Sequence, residues 1–447
     1  DKNEILNSLS YCYHTLCQWD KAHIVDEILL KISTEKIKSG GPALLGSFPA
    51  LFVKTNAETL KLIAQSHSRD LVRKQKVQGI ALPKVTRKPY DGERIKLGYF
   101  SVALSNHPTT QLIHDMFQHH DHSKFEIFIF AITNQKKCSK YYHIKESVEN
   151  FYELNSLNHF ECAEFIQSKA LDILVDLDGV IKNNRKSALS LKPAPIQIAW
   201  LGYPGTSGAP WIDYILADKI VLPAKYEPFY TEKVLRMPDC YQFNSYLSCK
   251  IKPSSRKEWG LPQEKFIFAS FNVSRKFDHE SFDAWCEILR QVDNSILWLL
   301  ISDDVCYQNL IKAMNEKGIG SDRLIRANRV DNQKHLSRFQ CADLFLDSFI
   351  CNAHTTCTEA LAAGLVVVTC KGETFQSRVA ASILTAAGLQ SCITANTQEY
   401  IMRVVELATS TDELQKIKNY LLKDKNKNIL FDQKKWVKNW EEILKSA

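Results

Sequence analysis

The chain has 447 residues and a formal net charge of +7, too long for one hydrophobic core and only modestly basic, so about two or three domains are expected. Its hydrophobic share of 45% and charged share of 24% are those of an ordinary soluble protein. No apolar run approaches the ~18 residues of a membrane span, and no signal-peptide pattern opens the chain, so a membrane partner is not expected. Lysine runs such as Lys423-Asp424-Lys425-Asn426-Lys427 read as solvated helix ends; no motif beside them points to nucleic acid. The cysteines number 13 and include no Cys-x-x-Cys pair, which reads as reduced, buried thiols in a cytoplasmic protein. His119-His120-Asp121-His122 has metal-ligating side chains, but adjacent residues rarely converge on one ion, so a surface turn is expected. The first residue is Asp1 rather than Met, which allows for further residues upstream.

Residues 1–80 are predicted helical, with Leu6, Leu9, Tyr13 and Leu16, then Ile24, Ile28 and Leu29, at helical spacing. Gly40-Gly41-Pro42 interrupts them, and Asn56-Ala57-Glu58 opens a further helix to about residue 75. Residues 77–93 read as a polar linker. A first series follows: strands at 95–100, 125–130, 172–177, 196–201 and 214–217, with helices at 111–118 and about 160–169. A polar connection from Ser245 to Arg256 leads to a second series. Its strands are predicted at 266–270, 296–300, 323–325, 344–348 and 365–369. The helices between them are predicted at 282–289, 306–317, 335–341, 360–363 and 377–387. Residues 397–447 are predicted helical, with Trp436 and Trp440 on one face. Strands alternating with helices imply parallel sheets covered on both faces, and ligands in such sheets bind at the carboxyl ends of the strands.

Three stretches carry candidate chemistry. Cys351-Asn352-Ala353-His354-Thr355-Thr356-Cys357-Thr358-Glu359 joins a buried strand to a helix start, where unpaired amides and the helix dipole favour an anion. Thr355 and Thr356 add hydroxyl donors, His354 a ring N–H, and Glu359 lies about one turn on, within reach of a sugar hydroxyl. That chemistry suggests a diphosphate with a ribose behind it; the plain alternative is a capped helix. Gly202-Tyr203-Pro204-Gly205-Thr206-Ser207-Gly208 follows a strand, and glycine is scarce at 16 in all, so the loop marks either close approach to a ligand or a tight turn. Phe271-Asn272-Val273-Ser274-Arg275-Lys276 places a lysine where it can neutralise a leaving diphosphate, or simply meet solvent.

Together these stretches resemble the catalytic region of the O-GlcNAc transferase family, including its bacterial and SPINDLY-like members. The resemblance runs from Leu97-Gly98-Tyr99 and Asn106-His107-Pro108-Thr109, through Lys192-Pro193-Ala194-Pro195-Ile196-Gln197 and Trp200 to Gly208, to Phe271-Asn272 and Lys276. It continues in Cys351 to Thr356 and in Ser377-Arg378-Val379-Ala380-Ala381-Ser382, covering most of residues 95–410. Cys17-Gln18-Trp19-Asp20 is similar to the helices that join tetratricopeptide repeats to the catalytic part in that family, so such repeats are possible upstream partners.

The resemblance implies an α/β GT-B fold of two doubly wound Rossmann-like lobes. The implied segments are a helical 1–85, an acceptor-side lobe 86–255, a nucleotide-binding lobe 256–405 and C-terminal helices 406–447. It implies an inverting glycosyltransferase that moves GlcNAc from UDP-GlcNAc to Ser or Thr of acceptor proteins, with no metal and no cofactor. By matching position, Lys276 would stabilise the diphosphate, and His354, Thr355 and Thr356 would bind it. Asn272, in the same matching stretch as Lys276, would lie on the donor side. Glu359 would hold the ribose, where the family often has Asp. His335 and the backbone near Val330 would line the uracil pocket. His107 would face sugar and acceptor, and Gly202, Tyr203 and Pro204 would shape the sugar pocket. As general base His107 is a candidate beside a water relay or a donor phosphate oxygen. Two positions depart from animal members: Val273 replaces a phosphate-touching Gln, and Asn332 a basic residue near the uridine. The large insert that animal members carry between lobes is also absent. The rivals are a SPINDLY-like protein O-fucosyltransferase using GDP-fucose, a UDP-GlcNAc epimerase, and a non-catalytic scaffold. His354 before the threonine pair favours a uridine donor, and no convincing carboxylate pair for an epimerase is visible.

Overall fold

Short runs of aromatic and branched residues become strands here because both faces of each sheet are covered, which removes the need for polar alternation. The computed structural model describes residues 2–86, 92–246, 250–423 and 428–447. Parts of the predicted linker (87–91), of the Ser245–Arg256 connection (247–249) and of the lysine-rich run (424–427) lie outside the described residues.

The first sheet contains β1 (Ile95–Ser101), β2 (Phe125–Ala131), β3 (Asn150–Glu153), β4 (Ile173–Asp176), β5 (Ile196–Ala199), β6 (Tyr214–Asp218) and β7 (Lys233–Met237). All its pairings are parallel, in the order β3-β2-β1-β4-β5-β6-β7. The second contains β8 (Phe266–Ser270), β9 (Ser295–Leu300), β10 (Leu324–Ala327), β11 (Leu344–Leu346), β12 (Val367–Cys370) and β13 (Ile393–Thr394). It too is parallel, in the order β10-β9-β8-β11-β12-β13. In each sheet the strand order reverses beside the first strand, between β1 and β4 and between β8 and β11. A crevice forms at such a reversal, because successive crossovers leave to opposite faces. The loops that follow these four strands therefore decide what each sheet can bind.

The chain divides into two compact units. One contains residues 1–31, 51–54 and 246–431; the other contains 32–50, 55–245 and 432–447. This differs from the segments 1–85, 86–255, 256–405 and 406–447 read from the sequence. The reason lies in a few buried aromatic contacts. Trp19 donates its indole N–H to the Phe277 carbonyl at 2.6 Å and packs on Phe282, which ties the first helices to the second sheet. The helix Gln433–Ser446 joins the first sheet: Trp436 stacks on Trp200 at 5.1 Å, and Trp440 donates to the Tyr99 hydroxyl at 2.9 Å.

Other expectations also shift. The helix Trp19–Lys38 buries Ala22, Val25 and Leu29, while Ile24 and Ile28 are 58% and 42% exposed, so the apolar stripe lies one position away from the one read. The helix expected at 111–118 starts at Pro108 and ends at Ile113, because His107 caps it and proline suits a first helical position. His119-His120-Asp121-His122 is no plain surface turn: His120 is buried between the Tyr99 hydroxyl and the Glu441 carboxylate, at 3.0 and 2.9 Å. The strands β3 and β7 were not read because both are short, part-exposed edge strands with charged or polar residues among the apolar ones.

Candidate active site

In the unit built on β8–β13, the reversal point brings two loops together. β8 runs into Phe271-Asn272-Val273 and a turn, Ser274–Lys276. β11 runs into Asp347-Ser348 and then into the helix Thr355–Ala362. Lys276 crosses from one loop to the other and donates its ammonium to the Asn352 carbonyl at 2.5 Å. Asn272 donates its amide to the Ser348 hydroxyl at 3.1 Å, and the Asn352 amide donates to the Ser348 carbonyl at 2.8 Å. The cation is thereby fixed at a residue three positions ahead of the helix start at Thr355. Thr355 and Thr356 are half-buried there, and the first amides of the helix have no partner within it. The arrangement presents positive charge and hydroxyl donors to one place, which is what a diphosphate requires.

His354 plays a different part from the one read. Its Nε2 lies 3.0 Å from the Gln376 carbonyl, which can only accept, so that nitrogen carries the ring proton. Burial, reinforced by the Lys276 charge, lowers its pKa to about 3, so the ring is neutral. The N–H expected to face an anion is spent on holding the Gln376 turn, and Nδ1 is left as an acceptor.

The nucleoside-side residues form a chain of hydrogen bonds. Arg338, three residues after His335, places its guanidinium against His335 Nδ1 and over the Phe271 ring at 4.1 Å, and donates to the Asn328 carbonyl at 2.8 Å. A guanidinium has only donors, so His335 Nδ1 accepts and Nε2 carries the proton toward Glu359 at 3.3 Å. Tyr246 donates to the other Glu359 oxygen at 2.8 Å. Glu359 lies one turn into the helix, as its spacing implied, but it is buried and both oxygens are partnered. Val330 is half-buried in the loop between β10 and the helix Asn332–Arg338.

The sequence reading missed Asp347, which organises this half. Its Oδ1 accepts from the amides of Ala353 at 2.6 Å and Ser348 at 2.9 Å, and Oδ2 accepts from the Thr369 hydroxyl at 2.7 Å. Burial pushes its carboxyl up to about 7, although these donors and Lys276 pull it down. An acidic residue ending a wholly apolar strand at a reversal point was the available signal; Arg338, one helical turn after His335, was another.

The remaining candidates lie in the unit built on β1–β7. His107 caps the helix Pro108–Ile113, its Nδ1 accepting from the Thr109 amide at 3.2 Å. Nε2 then carries the proton, and burial lowers the ring's pKa, so the free face of this neutral imidazole is a donor. That geometry does not present a general base. Gly202 is dictated by packing: a Cβ there would meet the Leu177 carbonyl at 2.2 Å. At Gly208, with φ +62°, an added Cβ would come equally close to the Gln65 amide nitrogen of the helix Ala57–Val77. Tyr203 donates its hydroxyl to the Ser47 carbonyl at 3.1 Å, and Pro204 is buried. Beneath this loop lies a carboxylate pair that the sequence did not disclose. Asp178 accepts from the Ser101 hydroxyl at 2.7 Å and the Val102 amide at 2.6 Å, and Asp176 from the Asp178 amide at 3.0 Å. Burial raises Asp176 to about 6; burial and then Asp176 raise Asp178 to about 8.

Comparison with known proteins follows the same lines. A family model described as Glycosyl transferase family 41 matches residues 16–249 and 244–440. A probable UDP-N-acetylglucosamine-peptide N-acetylglucosaminyltransferase SEC of Arabidopsis thaliana is 34% identical over 357 residues, 78% of this chain and 36% of its own length. A probable UDP-N-acetylglucosamine-peptide N-acetylglucosaminyltransferase SPINDLY of the same plant is 28% identical over 340 residues, 73% of this chain and 36% of its own. The chain thus spans about a third of the length of these curated relatives. Among solved structures, a Thermobaculum terrenum O-GlcNAc transferase mutant superposes with a TM-score of 0.85 at 21% identity, covering 98% of this chain and 83% of that one. At that identity the likeness establishes the fold, the GT-B arrangement of two Rossmann-like lobes. No helix among the described residues is long and apolar enough to cross a membrane.

Proposed function

The chain belongs to glycosyl transferase family 41, and we propose that it is a cytoplasmic, inverting protein O-glycosyltransferase that moves GlcNAc from UDP-GlcNAc to Ser or Thr of acceptor proteins. The observation that carries this reading is the meeting of Lys276 with the start of the helix Thr355–Ala362. The acceptor hydroxyl attacks the anomeric carbon, the bond to the diphosphate breaks, and UDP leaves with its negative charge against Lys276, the helix amides and the threonine hydroxyls. Positioned charge of this kind lowers the barrier only where charge develops, which is on the leaving diphosphate. Lys276 and the helix start would do here what a divalent ion does elsewhere, so no metal is invoked. Asn272 holds the loop through Ser348, and His354 does so through Gln376. His335 and the backbone near Val330 would take the base, and Glu359 the ribose. His107 would donate Nε2–H on the acceptor side, and the acceptor proton would leave through water or a donor phosphate oxygen.

Calorimetric titration of the chain with UDP, UDP-GlcNAc and GDP-fucose, with and without EDTA, tests the reading. The expected result is UDP and UDP-GlcNAc binding that EDTA does not weaken. Preference for GDP-fucose would assign the chain to the fucosyl branch, and no binding of any of the three would sink the enzyme reading in favour of a scaffold.

A further inference from the structure

We propose that Cys17 and Cys306 form a disulfide on exposure to a hydroperoxide, and that this modification acts on the turn that carries Lys276. Their sulfurs lie 3.7 Å apart, although the residues are 289 positions apart in sequence. A disulfide needs about 2.0 Å, so the gap has to close by less than about 2 Å. Cys17 sits between two helices at φ 53°, and Cys306 lies in the first turn of the helix Asp304–Glu316. Both are buried, but Cys17 also lines a cavity of about 420 Å3 with Trp19, Lys21, His279, Asn309 and Lys312, which admits a small oxidant.

The pair is built into the back of the Lys276 turn. Cys17 Sγ lies 3.8 Å from the Ser274 carbonyl, the Ser274 hydroxyl donates to the Thr15 carbonyl at 2.7 Å, and Asn309 donates to the Leu16 carbonyl at 2.8 Å. Drawing the sulfurs together therefore moves the segment that holds Ser274, two residues before Lys276. Cys17 is the sulfur that the cavity reaches, so it meets the oxidant first; the hydrogen bond from Cys17 holds the Cys306 thiol below its ordinary range, which suits Cys306 to resolve the oxidised sulfur as a thiolate. The Cys17 sulfur attacks a peroxide oxygen; an S–O bond forms, the O–O bond breaks, and the other oxygen leaves as water with the Cys17 proton. The Cys306 thiolate then attacks the oxidised Cys17 sulfur; an S–S bond forms, the S–O bond breaks, and the oxygen leaves as hydroxide. The two thiols lose two electrons and the peroxide gains them.

The consequence for binding rests on the transferase reading; the cross-link does not. The full chain is treated with hydrogen peroxide, remaining thiols are blocked with N-ethylmaleimide, and unreduced peptides are mapped by mass spectrometry. A peptide joining Cys17 to Cys306 is expected, removed by dithiothreitol and absent from Cys306→Ser. UDP affinity of the oxidised chain is expected to fall at least about fivefold, the low end of coupling between two sites, and to return on reduction. Peroxide-treated Cys306→Ser is expected to keep its affinity. Finding both cysteines blocked as free thiols overturns the proposal. A cross-link that leaves UDP affinity unchanged overturns its link to the Lys276 turn.

Discussion

Lys276 is held by a carbonyl rather than by a carboxylate, and this decides what its loss should do. Its hydrogen-bond partner is the neutral Asn352 oxygen rather than an ion-paired carboxylate, although the nearby Asp347 carboxyl also feels its charge. Lys276→Ala is expected to lower kcat/KM for UDP-GlcNAc by roughly 10²–10³, the usual cost of removing one preorganised donor. Folding should lose only about 1–2 kcal/mol, since a single hydrogen bond goes. Turnover close to wild type in a folded Lys276→Ala chain would remove the proposed mechanism. Asp347 behaves in the opposite sense. Its ordinary pKa of 3.8 is pushed up to about 7 by burial, so between pH 4 and 7 the folded chain holds a proton that the unfolded chain has lost. Stability therefore falls as pH rises through that window, by about 1.4 kcal/mol per unit from this group, and is level above it. In Asp347→Asn this slope is absent. Urea midpoints of the two proteins at pH 5 and pH 8 are expected to show the variant gaining on the wild type at the higher pH. An equal difference at both would refute the assignment.

At the scale of elements, the glycine-rich loop after β5 shows how a motif can be legible in sequence while its cause is not. The cluster of glycines announced that something approaches the backbone closely. The sequence does not say whether that something is a ligand or another strand, and at Gly202 and Gly208 it is the chain itself. Gly202→Ala would drive a Cβ into the Leu177 carbonyl, a backbone atom that can move only with the loop after β4. Gly205→Ala meets only the Tyr203 ring, at 3.2 Å. The first is expected to cost about 2–3 kcal/mol and the second about 1 kcal/mol or less, measured by denaturant unfolding. Equal losses would argue that the loop adapts. The helix start at Thr355 and the lysine after β8 were readable because strand, polar turn and helix succeed one another locally. Asp347 and Arg338 were hidden because each works through residues distant in sequence: Asp347 reaches Thr369, and Arg338 reaches Asn328 and Phe271. The same holds for His354, whose ring N–H is donated to the Gln376 carbonyl, 22 positions on in the chain.

At the scale of the molecule, neither unit is a continuous stretch of chain, and this limits where it can be cut. The sheet β1–β7 is completed by a segment that begins at Asp432, 187 positions after Ser245, and holds the helix Gln433–Ser446. That helix covers Trp200 with Trp436, gives the Tyr99 hydroxyl a donor in Trp440, and gives His120 an acceptor in Glu441. Without it, the Trp200 face would be exposed and two buried polar groups would lose partners, each a loss of about 1–3 kcal/mol, besides the burial of two tryptophans. A net stability of about 5–15 kcal/mol cannot absorb that sum. A chain ending at Phe431 is therefore expected to lose the fold of residues 95–237, and a fragment of residues 86–255 to be no better. Limited proteolysis with mass mapping decides it: cleavage should appear within 95–237 in the truncated chain and be suppressed there in the full one. Trp436→Ala, which keeps the helix but removes one ring, should lose about 3–5 kcal/mol and fall between the two. Equal protection of 95–237 in truncated and full chains would mean that the β1–β7 sheet is closed without the C-terminal helix, and the sequence boundary at 255 would then describe a self-sufficient lobe.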